Sequence, residues 1–409
     1  MAANERILAL VLAGGAGTRM APLTEHRAKP ALPYAGVYRL VDFPLSNCAH
    51  SGISDVWVLE QYQPYALGQH LAGGRPWDLD RTHGGLKVLF PHQGDGESGW
   101  HQGNADAIYR NRSAIAAFDP DVVVVLSADH VYKLDYRTVV RAHRSSGAGL
   151  TMVTTVVPPD RARRFGNVEV DAEGRVRRFV YKPDDPVSDV VTTEVFVFDG
   201  PSLLEAVNEL ASAAGDGDVE LEDFGDDLIP HLVDHGEVRE HRFSGYWRDV
   251  GTLDSYWASH MDVLDRDPLL RLDDPSWPVL TAAATRPPAQ CFGSAWMDNA
   301  LLSPGCAVRG RVEHSVLAPG VVVEEGANVR DSVLLHDTVV EAGASVSGAI
   351  CDMRVRIGGH ARVGEEDGAG NARSDDDLVV LGEGVEIADG AEVAPGARQG
   401  GGGRADGGG

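Results

Sequence analysis

The chain has 409 residues, 43% of them hydrophobic, with a formal net charge of −25 and four cysteines. That length suits two domains with sizeable cores, and the acidity excludes nucleic acid as a main partner, because counterion release needs clustered Lys and Arg. No apolar run approaches the roughly 20 residues of a membrane span, no secretory pattern precedes the first apolar run, and Cys48, Cys291, Cys306 and Cys351 lie far apart without metal-site spacing, which reads as reduced thiols in a cytoplasmic protein.

The first element is the run Ile7 to Ala13, rich in leucine and β-branched residues. It predicts a buried central strand of a parallel sheet. Gly14-Gly15-Ala16-Gly17-Thr18-Arg19 follows. Three glycines in four residues let the backbone turn sharply and approach a ligand, and successive N–H groups in such a turn make a concave anion site. Arg19 and, ten residues on, Lys29 add positive charge. The functional reading is a phosphate cradle; the bland one is a strand-to-helix turn. The glycines alone do not separate a dinucleotide site from a triphosphate site. An acidic protein that binds an anion needs such local positive charge, usually with a divalent cation. Most of the acidity itself reads as solubility.

Three more strand-like runs follow: Val56 to Leu59, Val122 to Leu126 and Leu150 to Val157. Ala105 to Phe118 has apolar residues at helical spacing, with Asp106 near its start, where the helix dipole favours a negative charge. Strands alternating with helices predict an α/β domain with a mostly parallel sheet. Ligands then sit at the carboxyl ends of the strands. Asp129 in Ser127-Ala128-Asp129-His130 occupies such an end. A second carboxylate, Asp249, lies in the compact segment Gly245 to Thr252. Alone, each reads as a helix cap or an exposed aspartate. Together with the glycine turn they could hold Mg²⁺ against a nucleoside triphosphate. His130 reads as structural. Lys182, after Phe179-Val180-Tyr181, is a point-charge phosphate ligand or a solvated surface residue.

Residues 265–300 are rich in Pro and Asp and read as a linker after a domain spanning 1–264. From about residue 301 the chain repeats. Gly-x-x-Val units start at Gly305, Gly320, Gly326 and Gly343. A period of 17 links Val312, Val329, Val346 and Val363, and also Val316, Val333 and Ile350. Six-residue units, three to a coil, predict a hexapeptide β-helix over 301–398. At 17 residues the coil is one short of three full units. Glu365 to Asp377 is polar and reads as a loop, and residues 399–409 read as a disordered glycine-rich tail.

Several segments together resemble the glucose-1-phosphate adenylyltransferase (ADP-glucose pyrophosphorylase) family of bacterial type. They are Gly14 to Arg19, Arg27-Ala28-Lys29-Pro30-Ala31, Tyr38 to Asn47, Trp100 to Ala107, Ala128 to Tyr132, and Tyr246 to Thr252. The resemblance spans residue 7 to about 260. It implies a Rossmann-like nucleotidyltransferase domain followed by a left-handed hexapeptide β-helix. The implied reaction joins ATP and glucose 1-phosphate into ADP-glucose and pyrophosphate, for glycogen or a related α-glucan. Arg19 and Lys29 would hold the β- and γ-phosphates, and Asp129 and Asp249 would bind Mg²⁺. Gly14, Gly15, Gly17, Thr18, Gln61, Trp100 and Gly103 fall on the nucleotide side. His101, Gly166, Tyr181, Lys182 and Thr192 fall on the sugar phosphate side.

The departures from the family pattern cluster on that second side. The family has Trp-Tyr where this chain has Trp100-His101, and Glu-Lys-Pro where it has Tyr181-Lys182-Pro183. It has Ser-Met-Gly-x-Tyr where this chain has Thr192-Thr193-Glu194-Val195-Phe196. Losing the glutamate beside Lys182 removes an acceptor for sugar hydroxyls; Glu194 brings a new carboxylate nearby. The lysine of the family's Gly-Gly-Lys-Phe-Arg stretch, tied to sugar phosphate activators, is missing from Ala35-Gly36-Val37-Tyr38-Arg39. A nucleotidyltransferase for another sugar 1-phosphate, or a non-catalytic regulatory paralogue, are the alternatives. The coil carries His314, His336 and His360, as a hexapeptide acyltransferase would. Here it follows a complete nucleotidyltransferase-like domain and reads as an assembly and regulatory module, with a homotetramer as the family expectation.

Overall fold

The computed structural model of the protein describes residues 5–15, 17–90, 103–213, 224–282, 285–364, 373–401 and 404–405. Two compact units emerge. The first comprises residues 1–15, 43–64 and 71–247; the second comprises 16–42, 65–70 and 248–409.

The first unit is built on a nine-stranded sheet. Its strands are β1 (Ile7–Ala13), β2 (Asp55–Glu60), β3 (Gly85–Leu89), β4 (Val122–Ser127), β5 (Leu150–Val156), β6 (Gly166–Val170), β7 (Val176–Tyr181), β8 (Val190–Asp199) and β9 (Val238–Arg242). The order is β7-β6-β8-β4-β1-β2-β3, with β5 beside β8 and β9 beside β5. Strand β1 is central, as its apolar run predicts: it pairs in parallel with β2 and β4, Leu10 lying between Trp57 and Val125. Only β7 and β8 run against the others, because β8 is antiparallel to β4, β5 and β6, and β7 to β6. One face of this sheet packs on helix α1 (Asn104–Phe118) through Ile108 and Ile115, and on α3 (Gly200–Ala213) through Leu203 and Val207. Each of these buried side chains contributes about 1.5–3 kcal/mol. Helix α2 (Tyr136–Ser146) is capped at its start by Asp135, which accepts from the Arg137 N–H at 3.0 Å.

The parallel register sets the site. Ala13 pairs with Glu60, and Leu12 with Ser127. Gly14, Gln61 and Asp129 therefore leave the sheet at one edge, the carboxyl ends where such folds bind ligands.

The second unit is dominated by a left-handed hexapeptide β-helix of short parallel strands in three sheets. The period of 17 is the coil repeat: Val312, Val329, Val346 and Val363 stack in one ladder, and Val316, Val333 and Ile350 in another. All of these residues are 0–1% exposed; the first ladder lies in the coil's apolar core, whereas beside the second ladder it is the next residues, Leu317, Leu334 and Cys351, that enter that core. The ladders begin at Gln290–Cys291 and Trp296–Asp298, inside the stretch read as linker. The side chains of these first strands are exposed, with the Arg311 guanidinium 3.8 Å over the Trp296 ring, so no buried valine marks the repeat there. At the other end Arg404–Ala405 pairs with Glu386–Ile387, within the tail read as disordered, again by main-chain pairing. Of the polar loop, residues 365–372 lie outside the described residues.

Residues 17–42 join this unit through helix α4 (Leu253–Asp262) and the coil. The Tyr34 hydroxyl donates to Ser259 O at 2.8 Å, and the Ala35 N–H to His260 Nε2 at 3.1 Å. Arg27, buried, donates to Asp352 at 2.7 Å and to Glu383 at 2.5 Å. All four cysteines are free thiols, three of them buried. No described helix is long and apolar enough to cross a membrane.

Candidate functional site

Gly14 and Gly15 follow β1 directly, as the strand-to-turn reading requires. Gly14 lies against Gln61, with an added Cβ falling 3.5 Å from that residue's Cβ; Gly15 is open to solvent. Gln61 is thus placed beside the turn by the β1–β2 register.

Gly17 adopts φ +64°, a left-handed conformation that glycine takes without cost. Its carbonyl accepts from the Thr24 hydroxyl at 2.9 Å and from the Met20 N–H at 2.8 Å. Thr18 and Arg19 open a short 3₁₀ turn and are exposed. Lys29 behaves differently. Its side chain is only 9% exposed, and its ammonium lies 3.7 Å from Asp249 Oδ1. A buried lysine needs an opposite charge, and Asp249 supplies it. Asp249 has its own constraint: a Cβ on Gly251 would come within 2.8 Å of Asp249 Oδ2, so glycine at 251 leaves room for the carboxylate. The Asp249 carbonyl accepts from the Ser255 hydroxyl at the start of α4.

In the first unit, Asp129 stands just past β4, held through one oxygen by the Ser127 hydroxyl. That oxygen is 3.6 Å from His130 Nε2. His130 is buried, and its other nitrogen, Nδ1, is 3.0 Å from the Thr193 carbonyl. A carbonyl only accepts, so Nδ1 carries a proton, and Nε2 is the nitrogen that faces the carboxylates. Glu194 Oε2 lies 3.8 Å from the same Nε2. The ligand atoms of Asp129, His130 and Glu194 all fall within 4.8 Å of one another. The Trp247 ring meets His130 edge-on at 5.1–5.2 Å from both Phe165 and His130 centroids, walling the cluster with aromatic surface.

Position 194 owes its place to a break in β8. Thr192 pairs with Thr154 of β5, and pairing resumes at Phe196 with Met152. Glu194 between them has φ +55°, a conformation that costs a non-glycine residue about 1 kcal/mol or more. The Thr192 hydroxyl accepts from the Glu194 N–H at 3.2 Å.

The remaining predicted residues form a second group on β6, β7 and β8. Gly166 opens β6, and a Cβ there would sit 2.5 Å from the Phe179 ring and 3.0 Å from Thr192 Cγ2. Packing alone requires glycine at this position. Thr192 is buried. Tyr181 ends β7 with its ring against Gly225, and the exposed Lys182 lays its ammonium 4.2 Å over that ring while donating to the Tyr181 hydroxyl. Gly103 is extended and precedes α1, its carbonyl accepting from the Ala107 N–H at 3.1 Å. Trp100 and His101 lie outside the described residues.

His130 reads as structural in the sequence, and nothing there brings Glu194 against it. Glu60, at the end of β2, is a further residue that no sequence motif singles out. Glu60 is fully buried, neither carboxylate oxygen has a hydrogen-bond partner among the described residues, and burial pushes its pKa up to about 7. An apolar run ending in Glu-Gln was the available signal.

Residues 8–266 match the family model described as nucleotidyl transferase, and residues 287–387 match the GlmU-like C-terminal hexapeptide model. The glucose-1-phosphate adenylyltransferase of Halalkalibacterium halodurans is 41% identical over 326 residues, which is 80% of this chain and 84% of that protein. The enzyme of that name from Thermosipho africanus is 40% identical over 326 residues, covering 80% and 78%. The one from Pseudothermotoga lettingae is 42% identical over 372 residues, covering 91% and 87%.

Proposed function

Because this chain belongs to the glucose-1-phosphate adenylyltransferase family of nucleotidyl transferases, we propose that it joins ATP and α-D-glucose 1-phosphate into ADP-glucose and pyrophosphate. The observation that carries this reading is Asp129 at the carboxyl end of β4, on the same sheet edge as Gly14 and Gln61. An oxygen of the sugar phosphate attacks the α-phosphorus of ATP, a new P–O bond forms, and the bond to pyrophosphate breaks. No covalent intermediate with the protein is required. The protein's share is positioning and charge neutralisation.

Lys29 and Arg19 supply positive charge to the β- and γ-phosphates. Gly14, Gly15 and Gly17 let backbone N–H groups approach the triphosphate, with Gln61 and Gly103 on the base side. Lys182 meets the phosphate of the sugar, and Gly166 and Thr192 border the sugar. Asp129 and Asp249 would hold a divalent cation, Mg²⁺ in this reading, since carboxylate oxygens are the ligands that ion takes. When bound, the cation neutralises charge on the phosphoryl oxygens. The setting is cytoplasmic α-glucan synthesis by a homotetramer.

A second sugar is the competing reading, favoured by one observation: Tyr181, not a carboxylate, precedes Lys182, while Glu194 lies against His130 and Asp129. A panel of sugar 1-phosphates and nucleoside triphosphates decides between them. Pyrophosphate release fastest with ATP and glucose 1-phosphate supports the first. A clear preference for another sugar phosphate moves the assignment to the second.

A further inference from the structure

We propose that Glu194, His130 and Asp129 form a three-ligand centre that binds a divalent transition-metal ion in preference to Mg²⁺. The inference rests on Asp129 being a cation ligand, as proposed above, and adds two donors to it.

The geometry is that of converging ligands. His130 Nε2 is 3.6 Å from Asp129 Oδ1 and 3.8 Å from Glu194 Oε2. Adjacent donors around an ion with bonds of about 2.1 Å are separated by roughly 3 Å. Small side-chain rotations therefore bring all three onto one ion. The imidazole is already set for this. Its Nδ1–H is committed to the Thr193 carbonyl, which orients the ring and turns Nε2 toward the two carboxylates, where a bound cation would take the place of a proton. A ligating histidine whose second nitrogen is anchored on a backbone carbonyl is the usual outer-shell arrangement of protein metal sites. His130 is 3% exposed, whereas the carboxylates of Asp129 and Glu194 are 23% and 37% exposed, so the ring is fixed and the ion has an open approach.

The β8 register break makes the contact possible. It presents the Thr193 carbonyl to one nitrogen of the ring and the next side chain, Glu194, to the other. Position 194 is where the resembled pattern has glycine, and the φ of +55° is one glycine takes without penalty. One nitrogen and two carboxylate oxygens favour Mn²⁺, Co²⁺ or Zn²⁺ over Mg²⁺, which prefers oxygen alone. Three protein ligands leave positions for water or phosphate oxygens.

The test is Mn²⁺ titration of the full-length, nucleotide-free protein, following loss of the free-ion signal by electron paramagnetic resonance, with Mg²⁺ as competitor. The wild type should hold Mn²⁺ at least tenfold more tightly than Mg²⁺. Glu194→Gly, which the backbone accepts, should weaken Mn²⁺ binding at least tenfold, and Glu194→Asp should restore part of it. Equal Mn²⁺ affinity in wild type and Glu194→Gly, or equal affinity of the wild type for Mn²⁺ and Mg²⁺, overturns the site even where ADP-glucose is made. Selective Mn²⁺ binding by the wild type that Glu194→Gly weakens, together with no ADP-glucose from the wild type, supports the site and removes the functional reading alone.

Discussion

Two aspartates, one in each unit, are held in opposite ways. Asp249 faces the ammonium of Lys29 at 3.7 Å, and Gly251 keeps the space it needs. Asp129 faces an imidazole and, through it, a second carboxylate, Glu194. Around Asp249, this chain keeps the segments that resemble its family. Around Asp129, the neighbour contributed by β8, Glu194, stands where the resembled pattern has glycine. A carboxylate just past a strand thus fixes where a charge stands, while a side chain distant in sequence sets what surrounds that charge.

The largest expected effect lies on the Asp249 side. Lys29→Gln removes the ammonium from both its carboxylate and the triphosphate, and turnover should fall about 10²–10³-fold, in line with loss of one pre-organised charge. Steady-state pyrophosphate release measures it; turnover near the wild-type value would place Lys29 outside the site.

Glu60, in the first unit, sharpens the comparison through pH. Its pKa is pushed up to about 7 by burial, from an ordinary value of 4.5. Ionisation therefore costs more in the folded than in the unfolded chain. The contribution of this group to stability is full below pH 4.5 and is lost as pH rises through 7. The loss is up to about 3 kcal/mol, at 1.36 kcal/mol per pKa unit. Glu60→Gln should thus gain stability relative to wild type at pH 8 and gain little at pH 4.5, as read by denaturant unfolding. An equal difference at both values would contradict this.

A packing test comes next. Gly166→Ala places a methyl group against the Phe179 ring and Thr192, which should cost about 1–3 kcal/mol as overpacking. Thermal unfolding reports it; an unchanged midpoint would mean that the ring moves freely. The smallest effect belongs to Glu194. Glu194→Gly relieves a left-handed backbone and should raise stability by about 1 kcal/mol, so that its loss of metal binding occurs in a fold at least as stable as the wild type.

Much of the fold is legible in the sequence, for physical reasons. The run from Ile7 to Ala13 can bury both faces only at the centre of a parallel sheet, and it lies there. The 17-residue period of the valines is the coil repeat because each valine must stack on the next to leave water. Asp129 is legible as the first carboxylate beyond a buried strand. What periodicity cannot register is a break in it. Glu194 lies inside a strand, at a position whose backbone turns left-handed, and its partner is 64 residues distant in sequence. The first coil at Gln290–Cys291 and Trp296–Asp298 escapes for a related reason: its strand side chains are exposed, so no buried valine marks the repeat there.

The central claim is adenylyl transfer that depends on Asp129. It is tested most directly by incubating the full chain and Asp129→Asn with ATP, glucose 1-phosphate and Mg²⁺, and following ADP-glucose and pyrophosphate together. The wild type should form both in equal amounts, and the variant should be slower by about 10²-fold or more. No ADP-glucose from the wild type, or equal rates from the two proteins, would contradict it.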